Sequence, residues 1–157
     1  MTCEVDVINE HSFPVESSAL IEACQTVITN ETFDEQCALT IVITDDETIA
    51  QYNAQYRHVA APTDVLSFPA EIPAYSPDHE PKYLGDLMIA FPYTSAEAAR
   101  EGHDLDSLLR LMAIHGTLHL LGYDHDTESN KATMWKAQAS ALKLLGIPES
   151  IADNEAD

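Results

Sequence analysis

The stretch from Leu105 to His125 constrains this chain more than any other. Its apolar positions Leu108 and Met112 fall on the same helical face as His115 and His119, so the two histidines continue a stripe that must be buried. Spaced four apart, both rings project from one side, a single turn apart. Gly122 follows: lacking a Cβ, it can take positive φ and end the helix, after which the chain can fold back and carry His125 to the same point. The helix thus supplies two imidazoles and the following loop a third.

Two histidines four apart on an apolar helix are, as a rule, a hydrogen-bonded core pair. Gly122 and His125 change that reading, because H-x3-H-x2-G-x2-H is the ligand spacing of the metzincin motif. Neutral imidazole suits zinc, and three protein ligands leave a fourth position for water, the arrangement of a catalytic rather than a closed structural site. In zinc peptidases of this spacing, the residue after the first histidine is the glutamate that takes a proton from the metal-bound water. Here it is Gly116. A peptidase would lack its base.

At 157 residues the chain suffices for one domain with one substantial core. We assign residues 1–148 to it and 149–157 to an acidic tail expected to fray. Cys3, Cys24 and Cys37 fit no paired metal or redox spacing, which suits free, packed thiols in a reducing compartment. No cationic segment leads into an apolar one at the start, and no apolar run approaches the ~20 residues needed to cross a bilayer. A cytoplasmic location without membrane contact is therefore expected. Seven basic against 27 acidic side chains give a formal charge of −20. By itself this argues against a polyanionic partner. A metal ion and a few arginines can nevertheless make a positive cleft inside a negative envelope, since salt screens charges beyond ~8 Å.

Cys3 to Asn9 alternates like a half-buried strand, and Ser17 to Thr29 gathers Leu20, Ile21, Cys24, Val27 and Ile28 on one helical side, with serines to cap it. The β-branched run Ala38 to Thr44 predicts a strand, and Asp45 or Asp46 can cap a helix through Ile49, Tyr52 and Asn53. Thr63 to Phe68, bracketed by Pro62 and Pro69, predicts a short strand at a sheet edge, followed by an exposed proline-rich loop to Lys82. Tyr83 to Ala90 is the next strand, where Gly85 marks a bulge or a close approach. Thr94 or Ser95 can cap a helix through Arg100, and Glu128 to Leu145 predicts a last helix ended by Gly146.

Four segments, Asn53-Ala54-Gln55-Tyr56-Arg57, Pro62-Thr63-Asp64-Val65-Leu66-Ser67-Phe68-Pro69, Leu84-Gly85-Asp86 and His115 to His125, resemble in order the YbeY family of bacterial ribosomal RNA maturation factors, which are metal-dependent single-strand endoribonucleases. The match spans most of the chain. It departs after Arg57, where His58-Val59-Ala60-Ala61 replaces a more polar segment often carrying glycine and lysine.

The resemblance implies an α+β domain: a small mixed sheet of about four strands packed with about five helices, and one zinc ion held by His115, His119 and His125 at the end of a core helix. Arg57 would be the catalytic cleft arginine, and the Thr63 to Pro69 segment, with Ser67 and Phe68, would line the RNA groove. By position alone Arg57 is a solvated surface residue, yet a guanidinium can bind a phosphate bidentately and stabilise charge that builds during cleavage. Asp64 and Asp86 read as carboxylates that bond backbone groups, and Asp124 is a candidate to orient a histidine ring. The implied activity is cleavage of single-stranded RNA in ribosomal RNA maturation, near the small-subunit RNA 3′ end, and in ribosome quality control. Implied partners are ribosomal RNA and the small subunit or its assembly factors; DNA is not expected. Two other classes keep the same ligands: a metal-dependent hydrolase of proteins or small molecules, and a non-catalytic assembly factor with structural zinc.

Overall fold

The computed structural model describes residues 3–31, 36–70 and 81–152. Four strands, β1 (Cys3–Ile8), β2 (Cys37–Thr44), β3 (Val65–Pro69) and β4 (Lys82–Ala90), form one sheet in the order β1-β2-β4-β3. The first three in that order are parallel, and β3 runs antiparallel along β4 as an edge. Five helices surround it: α1 (Ser17–Asn30), α2 (Asp46–Arg57), α3 (Phe91–Glu101), α4 (Leu105–Leu120) and α5 (Glu128–Leu144). This is the α+β domain with a mixed sheet that was expected.

Alternation along the strands sorts the core into two layers. Leu39, Ile41 and Ile43 of β2, with Leu87 and Ile89 of β4, pack against α1 and α4. On the other face Leu66, Met88 and Ala90 form a smaller cluster with Ile49 of α2, and Phe68 packs against it. Helix α4 buries eleven of its sixteen residues, which makes it an interior helix and a stiff mount for what it carries. Cys3, Cys24 and Cys37 are buried thiols outside any disulfide, as packing thiols should be. Burial pushes the Cys24 thiol up to about 12, against the pull of the Thr117 hydroxyl that donates to its Sγ, so it is inert at neutral pH.

Gly85 is where backbone comes close. It sits at a bulge that lets Tyr83 pair with Ala38 and Gly85 with Leu39, its φ is +138°, and a Cβ there would lie 2.3 Å from the Phe68 carbonyl oxygen. The edge strand β3 can therefore close on β4 only over a glycine.

Three local expectations are corrected. The serines at the start of α1 do not cap it; Glu16 occupies the cap position without a side-chain bond. Helix α3 begins at Phe91 rather than after Thr94 or Ser95, because β4 runs straight into it and Pro92 in the first turn needs no N–H partner. Thr94 is fully buried within that helix. The edge strand starts at Val65, whose N–H donates to the Asp64 carboxylate at 2.8 Å. By contrast Asp45 caps α2 as predicted, accepting from the Thr48 N–H at 2.8 Å. Residues 149–152, assigned to the tail, form a 3-10 turn that seats buried Ile151 near α4. The proline-rich loop over 71–80 and the last five residues lie outside the described residues.

Candidate metal centre

Helix α4 ends in a turn built from its own capping bonds. The Gly122 N–H donates to the His119 carbonyl at 3.0 Å and the Tyr123 N–H to the Leu118 carbonyl at 3.0 Å, while Gly122 takes φ +102°. This reversal returns His125 to the histidines of the helix. The ligand nitrogens of His115, His119 and His125 lie within 4.8 Å of one another, and the Nε2 atoms of His115 and His119 are 3.2 Å apart.

Hydrogen bonds on the far side of two rings say what those nitrogens can do. His115 Nδ1 is 3.0 Å from Gln138 Oε1, and His119 Nδ1 is 3.0 Å from the Tyr123 carbonyl. Both partners only accept, so each ring carries its proton on Nδ1 and turns a lone pair on Nε2 toward the other. Two lone pairs at 3.2 Å repel unless a cation lies between them. With bonds of ~2.0–2.1 Å to zinc, two tetrahedral ligands stand about 3.3 Å apart, so the residues fit such an ion. Burial, then the neighbouring His125 and more weakly Arg57, hold His119 below the ordinary imidazole value, against the Tyr123 bond and Asp124. It is neutral, as a ligand must be.

Helix α5 backs the centre, a contribution that the sequence pattern did not reveal. Gln138 is buried, and Trp135, one turn before it, stands edge-on to His115 and His125 with centroids 5.7 and 6.0 Å away. Asp124, the candidate for orienting a ring, instead accepts from the His125 backbone N–H at 2.8 Å and so shapes the loop. Asp64 bonds backbone as expected, whereas Asp86 accepts from the Tyr83 hydroxyl. The Tyr123 hydroxyl donates to Glu31, the residue that follows α1, tying the histidine loop to the end of that helix.

The histidines open onto a groove of about 1080 Å³ that also exposes Arg57, Ser67 and Phe68. All six site residues expected from the sequence therefore share one cavity. Ser67 Oγ donates to the Gly116 carbonyl at 3.3 Å, clipping β3 to α4. Asp64, Asp86, Glu97 and Asp124 also line the groove, and among its described residues Arg57 is the one lysine or arginine. At Gly116 a Cβ would come within 2.7 Å of Leu87 Cδ2, a fully buried side chain of β4 that also borders the groove. The position that carries the base in zinc peptidases is thus packed onto the sheet.

The profile of the family described as Endoribonuclease YbeY matches residues 6–146 of this chain. An Endoribonuclease YbeY from Rhodopseudomonas palustris strain BisA53 is 42% identical over 136 residues, covering 86% of this chain and 78% of the relative. One from Roseiflexus sp. strain RS-1 is 36% identical over 151 residues, covering 93% and 94%. In fold, the chain resembles a solution structure from Thermotoga maritima, with a TM-score of 0.60 at 21% identity over 98% of this chain and 95% of the other.

Proposed function

Because this chain belongs to the Endoribonuclease YbeY family, we propose that it is a metal-dependent endoribonuclease that cuts single-stranded RNA during ribosomal RNA maturation, close to the small-subunit RNA 3′ end, and in ribosome quality control. The observation that carries this reading is the convergence of three imidazoles, two with their lone pairs fixed by acceptor-only partners, on the floor of an open groove. His115, His119 and His125 would hold one divalent ion, zinc by the chemistry of an all-imidazole set. Such an ion supplies Lewis acidity toward a phosphoryl oxygen.

The remaining chemistry belongs to the chain. Gln138 and the Tyr123 carbonyl keep the His115 and His119 tautomers in place, so no proton has to move before the ligands can act. Arg57, in the same groove, would take a phosphate oxygen pair bidentately and stabilise negative charge as it develops. Ser67 and Phe68 would line the strand's path. Partners are ribosomal RNA and the small subunit or its assembly factors, met in the cytoplasm. Among the described residues no helix is long and apolar enough to cross a membrane.

The test incubates pure protein with single- and double-stranded RNA, with and without chelator, beside His119→Ala and Arg57→Ala. Only the single strand should be cut. Chelation and His119→Ala should abolish cutting, and Arg57→Ala should slow it by roughly 100-fold, the scale of one lost charge-stabilising donor. Undiminished cutting by His119→Ala would defeat the proposal, and casein cleavage indifferent to RNA would replace it with a protein hydrolase.

A further inference from the structure

Aromatic rings crowd the end of α2 beside Arg57. Tyr52 and Tyr56 remain exposed, Tyr56 at 56%, and both line the groove that the histidines open onto. The rings are ordered relative to one another: Tyr52 and Tyr56, one turn apart, are parallel within 7° at 6.1 Å between centroids. Phe68 meets each of them edge-on, at 5.9 and 5.2 Å. Phe68 in turn packs against the cluster of Ile49, Leu66, Met88 and Ala90, so the arrangement is anchored in the core.

Charge makes these rings necessary. Four groove carboxylates outnumber one guanidinium and the single divalent ion the histidines would hold, on a chain of net charge −20, so phosphate attraction alone gives limited affinity for RNA. Bases are neutral, and every base has a π-face that stacks on an aromatic ring, whatever the sequence.

We propose that Tyr56, held by Tyr52 and Phe68, is a stacking platform for an unpaired nucleobase of the RNA in the groove, with the adjoining phosphate at Arg57. The inference rests on the endoribonuclease reading and extends it to how the substrate is gripped. It also gives single-strand selectivity a physical source, because a paired base within a duplex offers no free face to Tyr56. Affinity should fall only gently with salt, with a slope of log K on log salt of about −1 to −2, since each neutralised phosphate on a single strand contributes ~−0.7.

The experiment uses the full chain and short single-stranded oligoribonucleotides in which one abasic residue, or one 2-aminopurine, is moved along the sequence. Wild-type protein should quench 2-aminopurine at one position and lose roughly tenfold in affinity when that position is abasic, the scale of one lost stack. Tyr56→Ala should show the same loss on intact RNA, no further loss on the abasic strand and no quenching, mainly through KM; Tyr56→Phe should behave as wild type. Equal affinity of wild type and Tyr56→Ala, or an abasic penalty that persists undiminished in Tyr56→Ala, overturns the platform while leaving the nuclease intact. If Tyr56→Ala fails to fold, the wild-type arm decides: no position-specific quenching and no abasic penalty refute the proposal. Wild-type protein that neither binds nor cuts RNA refutes the nuclease reading itself, and the platform with it.

Discussion

Replacing Gly85 by alanine should damage this protein more than any other single methyl group added at a glycine. Its φ of +138° belongs to a region that L-residues rarely enter, and occupying it costs about 1–3 kcal/mol. The new Cβ would lie 2.3 Å from the Phe68 carbonyl oxygen and 2.9 Å from the Ala70 nitrogen, both backbone atoms of the segment paired with β4. Neither can swing aside as a side chain would. Restoring ordinary contact means moving β3 by about 1 Å, and such overpacking costs ~1–3 kcal/mol. The Ala70 N–H bond to the Leu84 carbonyl, 3.0 Å long, would be stretched or lost, a further ~1 kcal/mol. The sum is roughly 3–7 kcal/mol, a large part of the 5–15 kcal/mol typical of a domain. Urea unfolding of Gly85→Ala beside Gly122→Ala isolates the clash. Gly122 has φ +102° but nothing within 4 Å of its would-be Cβ, so it carries only the backbone cost. A midpoint for Gly85→Ala equal to that of Gly122→Ala, at unchanged m-value, would refute the close approach of β3 to β4.

Gln138→Leu should lower divalent-metal affinity 10- to 100-fold in a competition titration while leaving the fold intact, because His115 loses the acceptor that fixes its tautomer; unchanged affinity would contradict that role. Gly116→Glu, which restores the zinc-peptidase residue, should yield no casein cleavage and cost about 3 kcal/mol or more, since the carboxylate would enter the core at Leu87. Glu97 tests pH dependence: burial first, then Asp64 and Glu101, with Arg100 opposing, raise its carboxyl from 4.5 to about 6. The folded chain thus holds this proton more tightly than the unfolded one, so the carboxyl's contribution is most favourable below pH 4.5 and declines as pH rises through 6. Glu97→Gln should therefore raise the melting temperature at pH 7, by at most about 1 kcal/mol of stability after allowing for solvent screening, and leave it unchanged near pH 4. A gain of equal size at both pH values would contradict this assignment.

The three-histidine candidate centre was legible because its information is local. The spacing of His115, His119 and His125 around Gly122 specifies one helical turn and one reversal, and both are realised by backbone bonds within the same eleven residues. Strands β2 and β4 were legible for a similar reason: β-branched runs bounded by turns leave few alternatives. What sequence could not reveal depends on distant partners. Gln138 lies 23 residues beyond His115, on a helix whose apolar pattern makes an amide look like an interruption rather than a support. Tyr52 entered only as a helix position and Tyr56 only within the Asn53 to Arg57 segment, and it is the tertiary fold that sets Phe68 against both. The start of α3 was misplaced because no polar cap marks a strand that becomes a helix without a loop.

Gly116 links the histidine-bearing helix to the sheet. A residue without a side chain lets α4 approach β4 so closely that Leu87 fills the space a Cβ would need. That contact embeds the helix, and embedding fixes where its last turn emerges into the groove with His115 buried and His119 half-buried. The substitution that removes the peptidase base is therefore also a packing requirement of this sheet. A Cβ at that position would force the buried Leu87 side chain to shift, disturbing the packing of α4 on β4 beside the Ser67 bond that clips β3 to the Gly116 carbonyl. The same strand sets Phe68 against Tyr52 and Tyr56 in the groove wall. Ligand spacing shared with zinc peptidases thus occurs here without their base, at a position packed against Leu87 of the sheet.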